Sequence, residues 1–472
     1  MSQSLLALSI AFAINVAQAA APPDPLAREI FKQLIEINTT DSVGSTTDAA
    51  RAMQKRFLDA GFAPNDAQVL VGANPKRGNL VARLRGSGKH KPVLIIGHLD
   101  VVEARREDWT LDPFKFVEKD GYFYGRGTQD MKNSDAVAVA ALLRMKKEGF
   151  VPDRDIILAL TADEEGGTDN GVDWLLKNHR DLLDAEFALN PDSGGLDADA
   201  GKPVALNVDA TEKLYADYEL EITDAGGHSS LPRPGNPIYA LSEALVRLGK
   251  ASFPFELNAV TRAWLEHMQK IEDGARARDI KGVLATPPDA GAVARLSTDA
   301  RYNSALHTTC VATRLDGGHA NNALPQRASA IVNCRILPGH SSEEVRRDLI
   351  KILAAPKLTV RYVDPATDRR VDVASEHKAL PPPPPRKDVF DALDTVAGRM
   401  WPGVPIVVDM AVGASDSIYT MAAGIPTYGF NGTAIDRDDD RMHGRDERVR
   451  TKSFDDSAEF YYRYLKVLTG GK

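Results

Sequence analysis

The sequence predicts an α/β fold, a mainly parallel sheet flanked by helices, with a smaller α+β domain inserted into it. Three observations carry this. Residues 93–97, 156–161 and 187–189 are short apolar runs fit for buried strands. Residues 130–149 open polar and then repeat Val137, Ala141, Leu142 and Met145 at helical spacing. Near Glu212 the character changes, and residues 215–222 alternate with period two, as in a half-exposed strand.

Taken in order, residues 25–60 read as a helix, a polar break at 38–45 and a second helix. From residue 80 onward strands alternate with helices, which places helices on both faces of one sheet. After the strand at 215–222 come a helix over 238–250, a charged helical insertion over 255–300, strands over 308–315 and 328–337, a helix over 342–353 and a strand over 358–363. That strand–helix–strand–strand–helix–strand order is the ferredoxin-like pattern. The proline run 381–385 fits neither helix nor central strand and reads as a stiff return connector. The α/β pattern then resumes, with a helix from Asp388, a strand at 406–408, a helix after Asp416 and a strand at 427–430. The expected division is 22–212 and 387–472 for the first domain, 213–367 for the inserted one and 368–386 for the return linker.

A net charge of −8 argues against a nucleic-acid surface, which needs a basic excess. Residues 5–21 are apolar and small, and they end in Ala17-Gln18-Ala19 before Pro22 and Pro23. This reads as a cleaved signal peptide, spanning 1–21, and implies a periplasmic or secreted protein. The segment has no Lys or Arg before it, so an uncleaved anchor and a cytoplasmic protein stay open as alternatives. No later stretch approaches the ~20 apolar residues of a membrane span, so no stable membrane anchor is expected there. The two cysteines, Cys310 and Cys334, are too few for a disulfide scaffold or a thiolate metal site. If 308–315 and 328–337 form a hairpin the two face each other, either bonded or packed as small apolar side chains.

Five short stretches gather acid and imidazole groups at the ends of expected strands, the edge where open α/β sheets bind ligands. Gly97-His98-Leu99-Asp100 follows the first strand; a neutral imidazole suits zinc, and Asp100 is placed to take its other N–H. Residues 125–132 supply two glycines and then Asp130 at a helix start, a position that aspartate also favours as a simple cap. Residues 161–167 put Asp163, Glu164 and Glu165 in a row, which repel one another unless solvated or joined by a dication. Residues 190–195 contain Asp192 in what is otherwise a turn signature, and residues 442–447 contain His443. Two dications about 4 Å apart need one shared carboxylate and two further ligands each. The set supplies five ligands and leaves one carboxylate to act as a base.

These motifs resemble the co-catalytic zinc exopeptidase family of glutamate carboxypeptidase, aminoacylase, carnosinase and succinyl-diaminopimelate desuccinylase. The resemblance covers nearly the whole chain after residue 21, in the family's order. It implies a zinc-exopeptidase-like catalytic domain and an inserted lid and dimerisation domain. It implies two divalent metals, zinc first with cobalt or manganese as alternatives, held by His98, Asp130, Glu165, Asp192 and His443. Asp130 would bridge the two ions, often with a cis peptide just after it, Asp100 would orient His98, and Glu164 would be the general base. Gly226-Gly227-His228-Ser229-Ser230 resembles the lid motif, in which the histidine polarises the scissile carbonyl, from the partner subunit in dimeric members. Asn322 and Arg335 resemble the clamp for a substrate carboxylate, which an arginine fork can bind bidentately. Gly413 and Ser415 resemble the substrate-binding loop. A hairpin turn for Asn322, a surface position for Arg335 and a helix cap for Asp416 are the plainer alternatives. The expected activity is hydrolysis of an amide bond in small peptides, of dipeptidase or carboxypeptidase type. The alternatives are an N-acyl-amino-acid amidohydrolase and a non-catalytic metal- or peptide-binding protein. The expected partners are a small peptide or N-acyl amino acid and a second copy of the chain.

Overall fold

A computed structural model describes residues 23–470 apart from Thr168, Ala366 and residues 377–382. The segment read as a signal peptide lies outside the described residues, as do Pro381 and Pro382 of the proline run. Among the described residues no helix is long and apolar enough to cross a membrane.

The apolar runs do form buried strands. Val93–His98, Ile156–Thr161 and Phe187–Asn190 are buried at every position, because both of their faces are covered. They run parallel in the middle of a ten-stranded mixed sheet, with Val93–His98 between the other two. Thr427–Gly429 continues the parallel set beside Phe187–Asn190, and Gly78–Leu84 flanks Ile156–Thr161 antiparallel. The register sets His98 opposite Thr161, so the chain leaves both strands at one edge. Lys132–Lys147 packs on one face of this sheet, buried along most of its length, beneath Pro25–Glu36 and Thr451–Leu468. Asp24 caps the first of these helices, accepting hydrogen bonds from the backbone N–H of Leu26 and Ala27, and Pro25 opens it.

Lys202–Glu212 ends in the first sheet, and Leu214–Thr223 starts the second one residue later. The second sheet is antiparallel, in the order Thr309–Gly317, Arg327–Ile336, Leu214–Thr223, Thr359–Val363, Arg370–Val371. Its first four strands have the ferredoxin-like order. Along Arg327–Ile336 buried and half-exposed positions alternate. Ala328, Ala330, Val332, Cys334 and Ile336 face Pro237–Lys250 and Ser342–Leu353 through Leu241, Ala244, Leu248, Val345, Leu349 and Leu353. The fold class expected from the sequence, an α/β domain carrying a separate antiparallel lid, is the fold observed.

Two details sharpen the sequence reading. Cys310 and Cys334 stand directly opposite each other and are bonded, with Cα atoms 4.1 Å apart. The charged insertion forms four helices between Ala259 and Leu306, and its apolar stripe turns to the first sheet. Trp264, Leu265 and Met268 share a cluster with Ala205 and Val407, and Val260 joins Ala210, Leu337 and Met410. These helices therefore cover the strands that lead into the lid.

Candidate metal centre

The strand ends and the loops beyond them bring His98, Asp130, Glu165, Asp192 and His443 together. They fall into two groups of three, His98 with Asp130 and Asp192, and Asp130 with Glu165 and His443, with donor atoms in each group within 4.8 Å of one another. Asp130 belongs to both. Its Oδ1 lies 3.0 Å from His98 Nε2 and its Oδ2 lies 2.9 Å from His443 Nε2. His98 Nε2 is also 3.4 Å from Asp192 Oδ1, and His443 Nε2 is 3.0 Å from Glu165 Oε1. Ligands at 2.0–2.1 Å around a tetrahedral zinc sit about 3.3 Å from one another, so both groups have nearly the spacing a small dication imposes. The Asp130–Met131 peptide is cis.

The charges agree with that geometry. Burial would push Asp130 up, yet the hydrogen bonds to His443 and His98 hold it well below the usual carboxylate range. Burial would lower His98, but Asp192 and Asp130 raise it well above an ordinary imidazole. His443 is pushed up to about 10 by its hydrogen bonds to Asp130 and then Glu165. Burial, with Asp130 adding repulsion against the pull of His443, lifts Glu165 to about 7. The carboxylates are thus crowded, each pulling on the imidazoles beside it, and divalent cations held between them would offset the same repulsion.

Glu164 stands beside the two groups. Burial first, and the nearby Asp192, Asp416 and Glu165 after it, raise its carboxyl well above the ordinary value despite the opposing His98. Asp100 holds the loop that carries Glu164. Its carboxylate accepts hydrogen bonds from the backbone N–H of Glu164 at 3.2 Å and of Glu165 at 2.9 Å. His98 Nδ1 faces the backbone carbonyl of Asp100 at 3.0 Å, whereas the carboxylate stays 3.8 Å away. Asp100 was expected to orient His98 by its carboxylate; the carbonyl takes that place because the carboxylate is committed to the loop.

Sequence reasoning missed several supports of this loop. Asp163 has a left-handed backbone, φ 59°, and turns away from the cluster to pair with buried Arg77 at 2.9 Å. Asn170 joins the loop to Asp416, donating to the Asp163 carbonyl at 3.3 Å and to Asp416 Oδ1 at 2.7 Å. Asp416 is therefore a buried acceptor, and its side chain makes no capping bond to the helix it precedes. A run of acids in sequence says nothing about which one turns inward, and Arg77 lies too far along the chain to suggest itself.

The remaining candidates lie elsewhere. Ser415 is buried, and its hydroxyl donates to Glu212 Oε2 at 2.7 Å while accepting from Asn190 at 3.1 Å. Gly413 is exposed in the same loop. In the lid, His228 and Asn322 are exposed neighbours: His228 pairs with Ala323 across a two-stranded ribbon, and the Ser229 N–H donates to the Asn322 carbonyl. Arg335 is half-buried on the lid sheet, its guanidinium 4.7 Å from the Tyr215 ring centroid. Among the described residues no hydrogen bond or ion pair joins these three to the ligand cluster.

Paired cation sites sharing one carboxylate, with a spare acid at hand, suit hydrolysis of peptide and amide bonds. The comparisons agree. The chain belongs to peptidase family M20/M25/M40, whose model matches residues 94–467. It is therefore a metallopeptidase-family hydrolase with a co-catalytic metal site. It is 27% identical over 391 residues to "Probable carboxypeptidase S-like 2" of Dictyostelium discoideum, covering 80% of this chain and 71% of that one. It is 27% identical over 384 residues to "N-fatty-acyl-amino acid synthase/hydrolase PM20D1" of Xenopus tropicalis, covering 79% and 72%. The M20 family metallo-carboxypeptidase Sso-CP2 of Sulfolobus solfataricus superposes with a TM-score of 0.70 at 15% identity, over 94% of this chain and 99% of that one, which is a likeness of fold.

Proposed function

We propose that the protein is a dinuclear exopeptidase that hydrolyses the amide bond next to a free carboxylate in small peptides, of carboxypeptidase or dipeptidase type. The observation that carries this is the division of Asp130 between two ligand groups with Glu164 beside them. Two dications bound there, zinc by the oxygen and nitrogen donor set, would make a shared water acidic and polarise the amide oxygen. The chain's own residues do the rest. Glu164, beside both ligand groups, takes the proton of the attacking water and returns it to the leaving amine. His443, with its side chain 54% exposed, leaves the cluster open to substrate on one side. Arg335 and Asn322 hold the substrate carboxylate when the lid closes, which confines cleavage to the chain end.

A second reading is hydrolysis of N-acyl amino acids, which end in the same carboxylate and amide; likeness to a protein named as an N-fatty-acyl-amino acid hydrolase favours it. The exposed His228, without a partner in the cluster of its own chain, supports a homodimer in which the lid of one copy completes the site of the other. The Cys310–Cys334 bond and the apolar residues 5–21 support export to the periplasm or beyond. The test is a panel of dipeptides, C-terminally blocked peptides and N-acyl amino acids, assayed with and without chelator. Turnover of free-carboxylate peptides that chelator abolishes is expected. Preference for N-acyl amino acids selects the second reading, and chelator-resistant turnover rejects both.

A further inference from the structure

Residues 125–130 carry the bridging carboxylate, and they are neither helix nor strand. Gly125 has φ 153° and Gly127 φ 92°, backbone that an L side chain rarely adopts, so the loop turns sharply and points several N–H groups inward. Buried N–H groups need acceptors. One side chain meets three of them. Glu447, 0% exposed, accepts hydrogen bonds from the backbone N–H of Gly127 at 3.2 Å, Gln129 at 2.6 Å and Asp130 at 3.3 Å, and from Arg126 Nη1 at 2.5 Å. A ring of N–H groups around one anion is a strong cradle, here closed by a side chain of the same protein.

Glu447 lies four residues after His443, so the cradle ties the loop of one metal-type ligand to the loop of another. Further bonds lace the same two loops. Arg126 Nη2 donates to the His443 carbonyl at 3.3 Å. Gln129 donates to the Arg448 carbonyl at 2.9 Å and accepts from the Arg441 N–H at 2.9 Å. Arg126 is itself held over the Trp109 ring, 5.0 Å from the centroid. By contrast, His98 ends a paired strand of the main sheet, and Asp192 follows another by two residues, in a turn where its N–H donates to Asn190 Oδ1 at 3.1 Å.

We propose that Glu447, with Arg126, is the positioning residue that fixes Asp130 against His443 and so sets the affinity of the ion held by Asp130, Glu165 and His443. This rests on the dinuclear reading above, and it names a residue that touches neither ion nor substrate. A neutral amide in place of the carboxylate keeps the size but offers a single acceptor oxygen to four donors, so the loop loosens.

The test is titration of zinc into metal-free protein by calorimetry against a competing chelator, for wild type, Glu447→Gln and Glu447→Asp, with the melting temperature of each metal-free protein measured beside it. Wild type is expected to bind two ions. In Glu447→Gln one of the two sites, the one assigned to Asp130, Glu165 and His443, should lose about 10–100-fold in affinity, the range for residues that orient metal ligands. The other site should change less. Glu447→Asp keeps the charge beside Arg126 but withdraws it from the Gln129 and Asp130 N–H groups, and the same selective loss is expected; it carries the test should the amide variant not fold. Unchanged affinity at both sites would overturn the proposal. So would equal weakening of both sites, or a lower melting temperature with unaltered affinities, since either makes Glu447 merely structural. Wild type that binds no zinc would instead reject the dinuclear reading.

Discussion

At the edge of the ten-stranded sheet His98 is 1% exposed, and its partners are held by strands, backbone bonds and buried ion pairs; in the lid, His228 and Asn322 lie on the surface. The first region is complete within one chain before any substrate arrives. The second supplies groups that have no bond to the ligand cluster in the same chain. The contrast matches a division of labour. Metal ligands must be preorganised within a few tenths of an ångström, whereas residues that grip substrate can be delivered by closure or by another subunit.

Removing the carboxylate proposed as the base should have the largest effect on turnover. Glu164→Ala is expected to cut kcat by about 10²–10⁴-fold, the usual share of a general acid–base, while metal analysis still finds the wild-type content. Full turnover in that variant would take Glu164 out of the chemistry. The lid is tested by mixing. Chains carrying His228→Ala and chains carrying Glu164→Ala, each inactive alone, should recover activity when combined if one copy's lid serves the other's metal edge. A mixture that stays inactive under conditions of subunit exchange places the two functions in one chain.

Arg335→Ala comes next. Losing a charged fork on a carboxylate should raise KM about 10–100-fold for free-carboxylate substrates and leave amidated analogues unaffected. An equal loss on both kinds of substrate would make Arg335 structural, stacked on Tyr215 as it is. A further effect is graded with pH and concerns binding of the ions, not turnover. The carboxylates around His98 and His443 raise both imidazoles, so cations binding there compete with protons. Affinity must therefore fall as pH falls, by about tenfold per pH unit for each proton released. Zinc affinity that is equal at pH 8 and pH 6 would mean that these imidazoles are not ligands.

The same contrast explains what the sequence made legible. The metal edge is written in contiguous stretches, those of His98, Glu165 and Asp192 directly after apolar strands, so position along the chain predicts position in space. The lid's elements were legible for the same reason, since period two marks Leu214–Thr223 and helical spacing marks Pro237–Lys250. What stayed hidden are contacts between single residues far apart: Arg77 with Asp163, Ser415 with Glu212, Arg126 with Glu447. No local pattern announces such a pair. Asp100 teaches a finer lesson, because composition names the residue but cannot say whether its carbonyl or its carboxylate meets the imidazole. The insertion's helices are amphipathic, yet their stripe does not tell which sheet they cover.

The central claim is that Asp130 is shared between two ions, and anomalous diffraction from zinc-loaded crystals tests it most directly. Two peaks about 3.5–4 Å apart, one on each side of the Asp130 carboxylate, are the expected result. A single peak, or two that do not share Asp130, would contradict the account.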